Sequence, residues 1–558
     1  MNYRNEYNRW LSSVTDKELK CELETMDEAA IEDAFYRDLA FGTGGLRGII
    51  GVGTNRMNIY VIGKASQGLS NYLRSSKSDV SVVIGYDSRI KSDLFARTAA
   101  SIFAANGITV HLWPKLNPVP TVSFATRYLH AAAGVMITAS HNPSKYNGYK
   151  VYGPDGCQIT TDAAAAILAE IEKLDVFSDV KTVDFDQAVA EGQVMYIDDS
   201  VLTAFLTEVK NQSVLFGDEI DKNVSIVYSP LNGTGLIPVT RVLSETGFTN
   251  VTVVEEQRNP DGSFPTCPYP NPEIREAMEL GLEYCRKTGA DLLLATDPDA
   301  DRCGIAVKDG DDYRLLSGNE VGLLILDYVC SQRIKHNKMP ENPVFIKTIV
   351  TMDLAEKIAA HYRVQTINVL TGFKFIGEQI GELQEAGRES DYICGFEESY
   401  GYLTGSYVRD KDAVNAAFMI AEMFAFYKTR NVSLLQKLDE LYEQYGYCLN
   451  TLHSYEFPGS SGMSKMNDIM RSFHKGIDTI VDMKVIKTED YSTGLNGLPK
   501  SDVLKYFYQG EDVNGSVVIR PSGTEPKLKA YISVTAADRE AAKGIEKRIA
   551  SEIGTKLL

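Results

Sequence analysis

Short apolar runs that stop abruptly at polar loops recur along this chain. Val82-Val83-Ile84-Gly85 leads into Tyr86-Asp87-Ser88-Arg89, and Ile226-Val227-Tyr228 into Ser229-Pro230-Leu231-Asn232-Gly233. Leu292-Leu293-Leu294-Ala295 leads into Thr296-Asp297-Pro298-Asp299 in the same way. Apolar runs of this length, bounded by turn formers, read as buried strands. Stretches with helical spacing lie between them, at Asp162–Leu174, Glu273–Thr288 and Asp353–His361. Strands alternating with helices predict α/β architecture, with ligands at the carboxyl ends of the strands where the polar loops sit. The first forty residues are rich in helix formers, with Ile31 and Phe35 four apart, and predict helices. Ala413–Tyr427 is apolar on all sides but holds Asn415 and Glu422, so it reads as a buried helix, not a membrane span. After about residue 445 two Gly/Ser/Pro-rich breaks follow, Pro458–Ser464 and Ser492–Pro499. The chain then ends in strand, loop, strand and helix, which predicts a separate α+β domain.

Length and composition narrow the picture. A chain of 558 residues exceeds what one core supports, about 250–300 residues, so several domains are expected. Apolar residues make up 44%, which argues against wholesale disorder. The net charge of −18 is a poor basis for binding nucleic acid, whose phosphates must be neutralised. It leaves room for a small anionic substrate in a locally basic cleft. The eight cysteines lie far apart with no CxxC pair, so neither a zinc site nor a disulfide framework is expected. The opening Met1-Asn2-Tyr3-Arg4-Asn5-Glu6 carries charge and no apolar segment. Together these features predict a cytoplasmic protein without a membrane segment.

Four segments carry candidate chemistry. Thr138-Ala139-Ser140-His141-Asn142-Pro143 follows the apolar run Ala131–Ile137, and its Asn-Pro turn places Ser140 just beyond a strand end. Asp297-Pro298-Asp299-Ala300-Asp301-Arg302 sets three carboxylates at every second position after a buried strand. Such a cluster repels itself unless a cation neutralises it, and hard oxygen ligands suit Mg²⁺ or Ca²⁺. The EF-hand pattern fails, with Arg302 and Lys308 at its glycine and glutamate positions, which favours Mg²⁺ that also meets a phosphate oxygen. Gly395-Phe396-Glu397-Glu398-Ser399-Tyr400-Gly401 offers carboxylate and hydroxyl groups suited to sugar hydroxyls. Arg520-Pro521-Ser522-Gly523-Thr524-Glu525-Pro526-Lys527, after Val517-Val518-Ile519, offers a guanidinium fork, hydroxyls and turn N–H groups for a phosphate. Each segment alone also reads as a plain turn, an acidic surface loop or a helix start. Arg47, Lys150, Lys374 and Lys411 are further candidates among residues that usually serve as surface charge.

Taken in order along the chain, the four segments resemble the α-D-phosphohexomutase superfamily. The stretches Asn147-Gly148-Tyr149-Lys150-Val151-Tyr152 and Tyr400-Gly401-Tyr402 are similar to its bacterial α-phosphoglucomutase branch and related phosphopentomutases. The resemblance runs from about Phe41 to about Lys529. It implies four domains around a central cleft: three related mixed α/β domains and a smaller C-terminal α+β domain. The expected boundaries are 1–205, 206–318, 319–445 and 446–558. It implies phosphoglucomutase activity, with Ser140 as phosphoserine and Mg²⁺ held by Ser140, Asp297, Asp299 and Asp301. Glucose 1,6-bisphosphate is the implied activator and intermediate. Glu397, Ser399, Thr371, Lys374 and Arg302 would bind substrate, and Arg520, Ser522, Gly523, Thr524 and Lys527 its phosphate. Arg47 and His141 would give electrostatic support. Lys150 or Lys411 would serve as acid/base, with a depressed pKa expected for a buried lysine near other cations. Some phosphomannomutase-type members carry a histidine after the sugar-binding Glu-x-Ser; here Tyr400-Gly401 stands in its place. Mannose or a pentose in place of glucose, a serine-dependent phosphatase, and a sugar-phosphate sensor remain alternatives. Monomer and dimer are both open.

Overall fold

The computed structural model describes the chain apart from Met1, Thr43, residues 76–78, 458–459 and 523–526, and Leu558. It divides into two compact units, 1–316 with 373–392 and 400–426, and 317–372 with 393–399 and 427–558.

The first unit opens with three helices, Tyr3–Ser13, Lys17–Thr25 and Glu28–Phe35, each started by an Asn or Asp side chain that accepts from the first-turn N–H groups. Their apolar stripes meet at Trp10, which is fully buried and sits edge-on to Phe35, Tyr60 and Phe177. A six-stranded sheet follows in the order Gly45–Ile49, Tyr146–Tyr152, Ala133–Ile137, Ser81–Tyr86, Thr109–Leu112, Val194–Tyr196. Its last four strands run parallel, while Tyr146–Tyr152 is antiparallel to both its neighbours. Helices Ile59–Arg74 and Ser92–Ala105 bury Ile62, Leu69, Phe95 and Phe103 against it. A five-stranded sheet has the order Asp312–Leu316, Cys303–Asp309, Leu292–Thr296, Ile226–Ser229, Val251–Val253. Leu292–Thr296 is buried at every position, as expected of a strand covered on both faces. Helices form over Thr161–Glu172 and Arg275–Thr288, within a residue or two of the expected limits.

In the second unit, the parallel strands Val344–Thr348 and Gln365–Val369 carry helices Gly318–Lys335 and Leu354–His361. The first helix starts at a capping box, with the Ser317 and Glu320 side chains satisfying each other's backbone N–H. A six-stranded antiparallel sheet follows, in the order Tyr447–Glu456, Lys527–Ala536, Asn514–Pro521, Leu504–Gln509, Met483–Asp490, Thr479–Ile480. Helix Arg539–Leu557 packs on it through Ile549, Ile553 and Leu557.

One expectation is corrected. The break read at Pro458–Ser464 lies partly in helix Ser460–His474. Met466, Met470 and Phe473 recur at helical spacing and bury against the sheet, and that burial outweighs the poor propensity of the Ser/Gly start. The second break is a turn, where Gly494, Asn496 and Gly497 all adopt positive φ. Among the described residues, no helix is long and apolar enough to cross a membrane. All eight cysteines are free thiols, seven of them buried.

Candidate active site

Two buried strands of the first unit end in the loops that build the site. Ala133–Ile137 runs into 138–142, and Leu292–Thr296 into 297–302, which turns back into Cys303–Asp309. Asp297 folds its own loop: its Oδ1 accepts the N–H groups of Asp301 and Arg302, both at 3.0 Å. Thr234 braces the same loop, its N–H donating to the Pro298 carbonyl at 2.8 Å. Ser140 has positive φ (53°), and its N–H donates to Thr138 Oγ1 at 2.8 Å. Thr138 Oγ1 in turn donates to Asp299 Oδ2 at 3.1 Å. One threonine therefore joins the two loops.

The result is a compact charged cluster. Asp297, Asp299 and Asp301 are all buried, with one oxygen of each within 4.8 Å of the others. Ser140 Oγ donates to Asp297 Oδ2 at 3.0 Å, and His141 Nδ1 lies 3.2 Å from Ser140 Oγ. Lys150 Nζ donates to Asp299 Oδ2 at 3.0 Å and to Asp301 Oδ2 at 3.3 Å. Lys411 Nζ lies 3.0 Å from Asp301 Oδ2. Asp410, paired with Lys411 at 3.7 Å, also accepts the Tyr152 hydroxyl at 3.0 Å.

Strand register puts the cations on one face. Lys150 pairs with Gly45 and Gly148 with Arg47, so Arg47 and Lys150 project to the same side. Gly148 is required there, because a Cβ would lie 2.5 Å from the Thr138 carbonyl oxygen and 2.8 Å from that of Leu46. Arg47 donates to Asn142 Oδ1 at 3.3 Å. Arg302 pairs with Glu273 and lies 3.9 Å from Asp301 Oδ1.

Electrostatics follow from this crowding. Burial first, then Asp299 and Asp301, push the Asp297 carboxyl well above the usual range. Burial also raises Asp301, but Lys411, Lys150 and Arg302 outweigh it and hold this carboxyl low. Burial, Arg302 and Arg47 hold His141 well below the ordinary imidazole value. The expected depression of a site lysine is not found at Lys150. Burial lowers it, yet Asp299 and Asp301 more than compensate and its pKa is raised. The neighbouring lysine matters less than two carboxylates in direct contact.

Oxygen donors suit a hard divalent cation. Among the described residues Asp299 Oδ1 and Asp301 Oδ1 are buried without a hydrogen bond, Arg302 Nε lying 3.9 Å from the latter, which is costly unless something else takes them up. The residues present therefore fit a metal ion.

The other expected residues fall as follows. Lys374, in helix Phe373–Glu385 of the first unit, lies over the Phe375 ring at 4.9 Å, and burial lowers its pKa. Thr371, Glu397, Ser399, Arg520, Ser522 and Lys527 belong to the second unit. Glu397 is buried at the end of its strand. Arg520 stacks over Tyr531 at 5.9 Å, and its Nε is buried without a partner among the described residues. Lys527 pairs with Glu456 at 3.1 Å, and the Ser522 N–H donates to the Lys527 carbonyl at 2.7 Å. Gly523 and Thr524 lie outside the described residues.

Tyr531 escaped the sequence reading. Burial pushes its phenol up to about 12, with Glu398 and Glu397 adding to the rise and Arg520 opposing it. It thus stands in the field of both the sugar-type and the phosphate-type segments of the second unit. It is one aromatic in an ordinary strand, and its sequence carries no signal of this.

Comparison with known proteins agrees with this arrangement. Models of the phosphoglucomutase/phosphomannomutase family match residues 38–176, 203–310 and 317–445 as alpha/beta/alpha domains I, II and III, and 500–552 as the C-terminal domain. The phosphoglucomutase of Staphylococcus saprophyticus is 35% identical over 538 residues, 94% of this chain and 96% of that protein. That of Staphylococcus aureus USA300 is 34% identical over 541 residues, 94% and 95% of the two chains. Among solved structures, the exocytosis-sensitive phosphoprotein pp63/parafusin of Paramecium superposes with a TM-score of 0.69 at 18% identity, covering 94% of each chain. With the three α/β domains and the C-terminal domain matched in order, the chain belongs to the phosphoglucomutase/phosphomannomutase family.

Proposed function

We propose that this chain acts as a phosphoglucomutase, interconverting α-D-glucose 1-phosphate and D-glucose 6-phosphate through phospho-Ser140 and glucose 1,6-bisphosphate. The observation that carries the reading is the hydrogen bond from Ser140 Oγ to Asp297 Oδ2, 3.0 Å long, inside a buried group of three carboxylates with two oxygens that accept no hydrogen bond among the described residues. The names and coverage of the relatives support glucose as the sugar.

Ser140, Asp297, Asp299 and Asp301 would hold Mg²⁺, which when bound supplies positive charge against the phosphoryl oxygens. Ser140 is the phosphoryl carrier. A free sugar hydroxyl attacks the phosphorus, its O–P bond forming as the bond to Ser140 Oγ breaks. Lys411 takes the hydroxyl proton and returns one to Ser140, while Lys150, kept charged by Asp299 and Asp301, steadies the anionic oxygens. The bisphosphate then presents its other phosphate, and the same exchange in reverse restores phospho-Ser140 and releases the isomer. Arg47, His141 and Arg302 bias the site toward anionic oxygen, and with His141 held neutral that charge comes from the arginines. Glu397, Ser399, Thr371 and Lys374 recognise the sugar. Arg520, Ser522, Gly523, Thr524 and Lys527 take its second phosphate. The proposed domain limits are 1–205, 206–318, 319–445 and 446–558. The proposed setting is the cytoplasm, with small sugar phosphates as partners.

The test is interconversion of glucose 1-phosphate and glucose 6-phosphate with Mg²⁺ and a trace of glucose 1,6-bisphosphate, beside mannose and ribose 1-phosphates. Fast turnover of the glucose pair is expected, with Ser140→Ala slower by on the order of 10⁴ or more and folded as before. Preference for mannose or ribose phosphate would replace the sugar in this reading, and a fully active Ser140→Ala would end it.

A further inference from the structure

Two loops leave the carboxyl ends of neighbouring parallel strands, 87–91 after Ser81–Tyr86 and 138–145 after Ala133–Ile137. From the first, Arg89 reaches into the second with a side chain that has no solvent exposure. Its Nη1 donates to the carbonyls of Pro143 and Tyr146, each at 3.0 Å. Its Nη2 donates to the carbonyls of Ser140 and Asn142. Its Nε faces Asp87 Oδ2 at 3.3 Å. Asp87 Oδ1 accepts the Arg89 N–H at 2.9 Å and the Ser92 hydroxyl at 2.7 Å, which aims the guanidinium. The Phe264 ring covers it at 5.1 Å. Gly262, bridged to the backbone of Arg89, approaches so closely that a Cβ would lie 2.4 Å from the Ile90 nitrogen.

Burying a guanidinium costs several kcal/mol unless its donors are used. Here the Nη donors are spent on carbonyls that water would satisfy on an ordinary surface loop. Those carbonyl dipoles converge and repel one another without a cation among them. A planar fork meets four such acceptors; an ammonium, a point charge with three donors, does not. The residue so gripped is Ser140, whose φ of 53° is unfavourable for a non-glycine residue and persists only where its surroundings impose it.

We propose that Arg89 is a positioning residue for Ser140: by gathering the carbonyls of residues 140, 142, 143 and 146 it holds the serine hydroxyl at Asp297. The proposal rests on the reading of Ser140 as the phosphoryl carrier. Arg89 touches no reacting atom, so its effect is on geometry, and small misplacements of a reacting group cost about 10²-fold in rate.

The experiment compares Arg89→Lys with wild type and Ser140→Ala. Turnover per folded molecule, KM and single-turnover transfer from phospho-Ser140 are measured, with melting temperature as the check on folding. The expected result is kcat lower by about 10²-fold, transfer from phospho-Ser140 slowed by the same factor, and KM within about twofold of wild type. A merely structural role would lower the folded fraction and leave turnover per folded molecule unchanged. That result overturns the proposal. Should Arg89→Lys fail to fold, Asp87→Asn is read by the same measurements, since it keeps the fork and removes the charge that aims it. An active Ser140→Ala ends the phosphoserine reading and the proposal with it. An inactive Ser140→Ala beside a fully active Arg89→Lys overturns the proposal alone.

Discussion

Two clusters of acids and lysines, one in each unit, look alike in composition and differ in completeness. In the second unit Asp353 Oδ1 receives Lys505 at 2.7 Å and Lys347 at 3.3 Å, and Asp353 Oδ2 receives the Ser516 hydroxyl at 2.9 Å. Lys505 also donates to the Ile349 carbonyl, and Lys347 to that of Thr351. Both carboxylate oxygens of Asp353 have donors, and the cluster ties the strand Leu504–Gln509 to the start of helix Leu354–His361. In the first unit Asp299 and Asp301 meet Lys150 and Lys411 beside Asp297, and among the described residues two carboxylate oxygens accept no hydrogen bond. A buried network with all its donors and acceptors used is a strut. One that leaves acceptors over is shaped for something it binds.

The sharpest way to break this comparison is to neutralise one acid in each cluster. Asp299→Asn is expected to lower turnover by on the order of 10³ or more, since a bound cation contributes several kcal/mol of charge stabilisation. It should weaken Mg²⁺ or Mn²⁺ binding in titration calorimetry while changing the melting temperature little. A destabilised but active variant would mean that the first cluster is a strut as well.

Asp353→Asn is expected to do the opposite, costing about 2 kcal/mol in urea unfolding because it leaves buried Lys505 without its carboxylate, while Lys347 keeps Glu356 at 3.1 Å. Turnover per folded molecule should stay close to wild type. An equal loss of turnover and stability would erase the distinction between the clusters.

The third prediction uses pH. Burial raises the Asp353 carboxyl, but Lys505 and Lys347 prevail and hold it at about 2. A depressed carboxyl contributes stability that is full above its unfolded pKa, near 3.9, and is lost as pH falls through the folded value. The stability gap between wild type and Asp353→Asn should therefore close between about pH 4 and pH 2. A constant gap would show that the cost of Asn is steric and not ionic.

The smallest effect belongs to a surface cluster that calibrates the other two. His474 lies 2.8 Å from Asp502 and 3.0 Å from Asp490. Burial lowers its pKa, and the two carboxylates outweigh it and leave the pKa raised above 6.5. Its contribution is complete below that value and lost as pH rises through the folded pKa. His474→Gln should cost less than about 1 kcal/mol at pH 6 and nothing at pH 9, read from melting temperatures.

Much of this was legible in the chain. The strands Ser81–Tyr86, Ile226–Ser229 and Leu292–Thr296 show as apolar runs, because a strand covered on both faces has little use for polar residues. The polar loops after them show for the complementary reason; the one after Leu292–Thr296 holds the three aspartates, and the loop after the apolar run Ala133–Ile137 holds Ser140. The helix at Ser460 did not show, since its signal lies in Met466, Met470 and Phe473, downstream of a Ser/Gly start. Arg89 was visible as part of a polar loop, but a lone arginine after a strand reads as surface charge.

The sequence by itself determined the α/β class, the strand-end loops and the residue types able to hold a cation and carry a phosphoryl group, because periodicity and side-chain chemistry are local. Only the tertiary structure decided that Thr138 spans to Asp299, that two carboxylates outweigh a second cation at Lys150, and that Arg89 threads the carbonyls of the Ser140 loop. Each of these depends on distances between segments that are remote in the chain or that lie on neighbouring strands. Burial and Coulomb interaction are set by such distances, and residue type alone does not encode them.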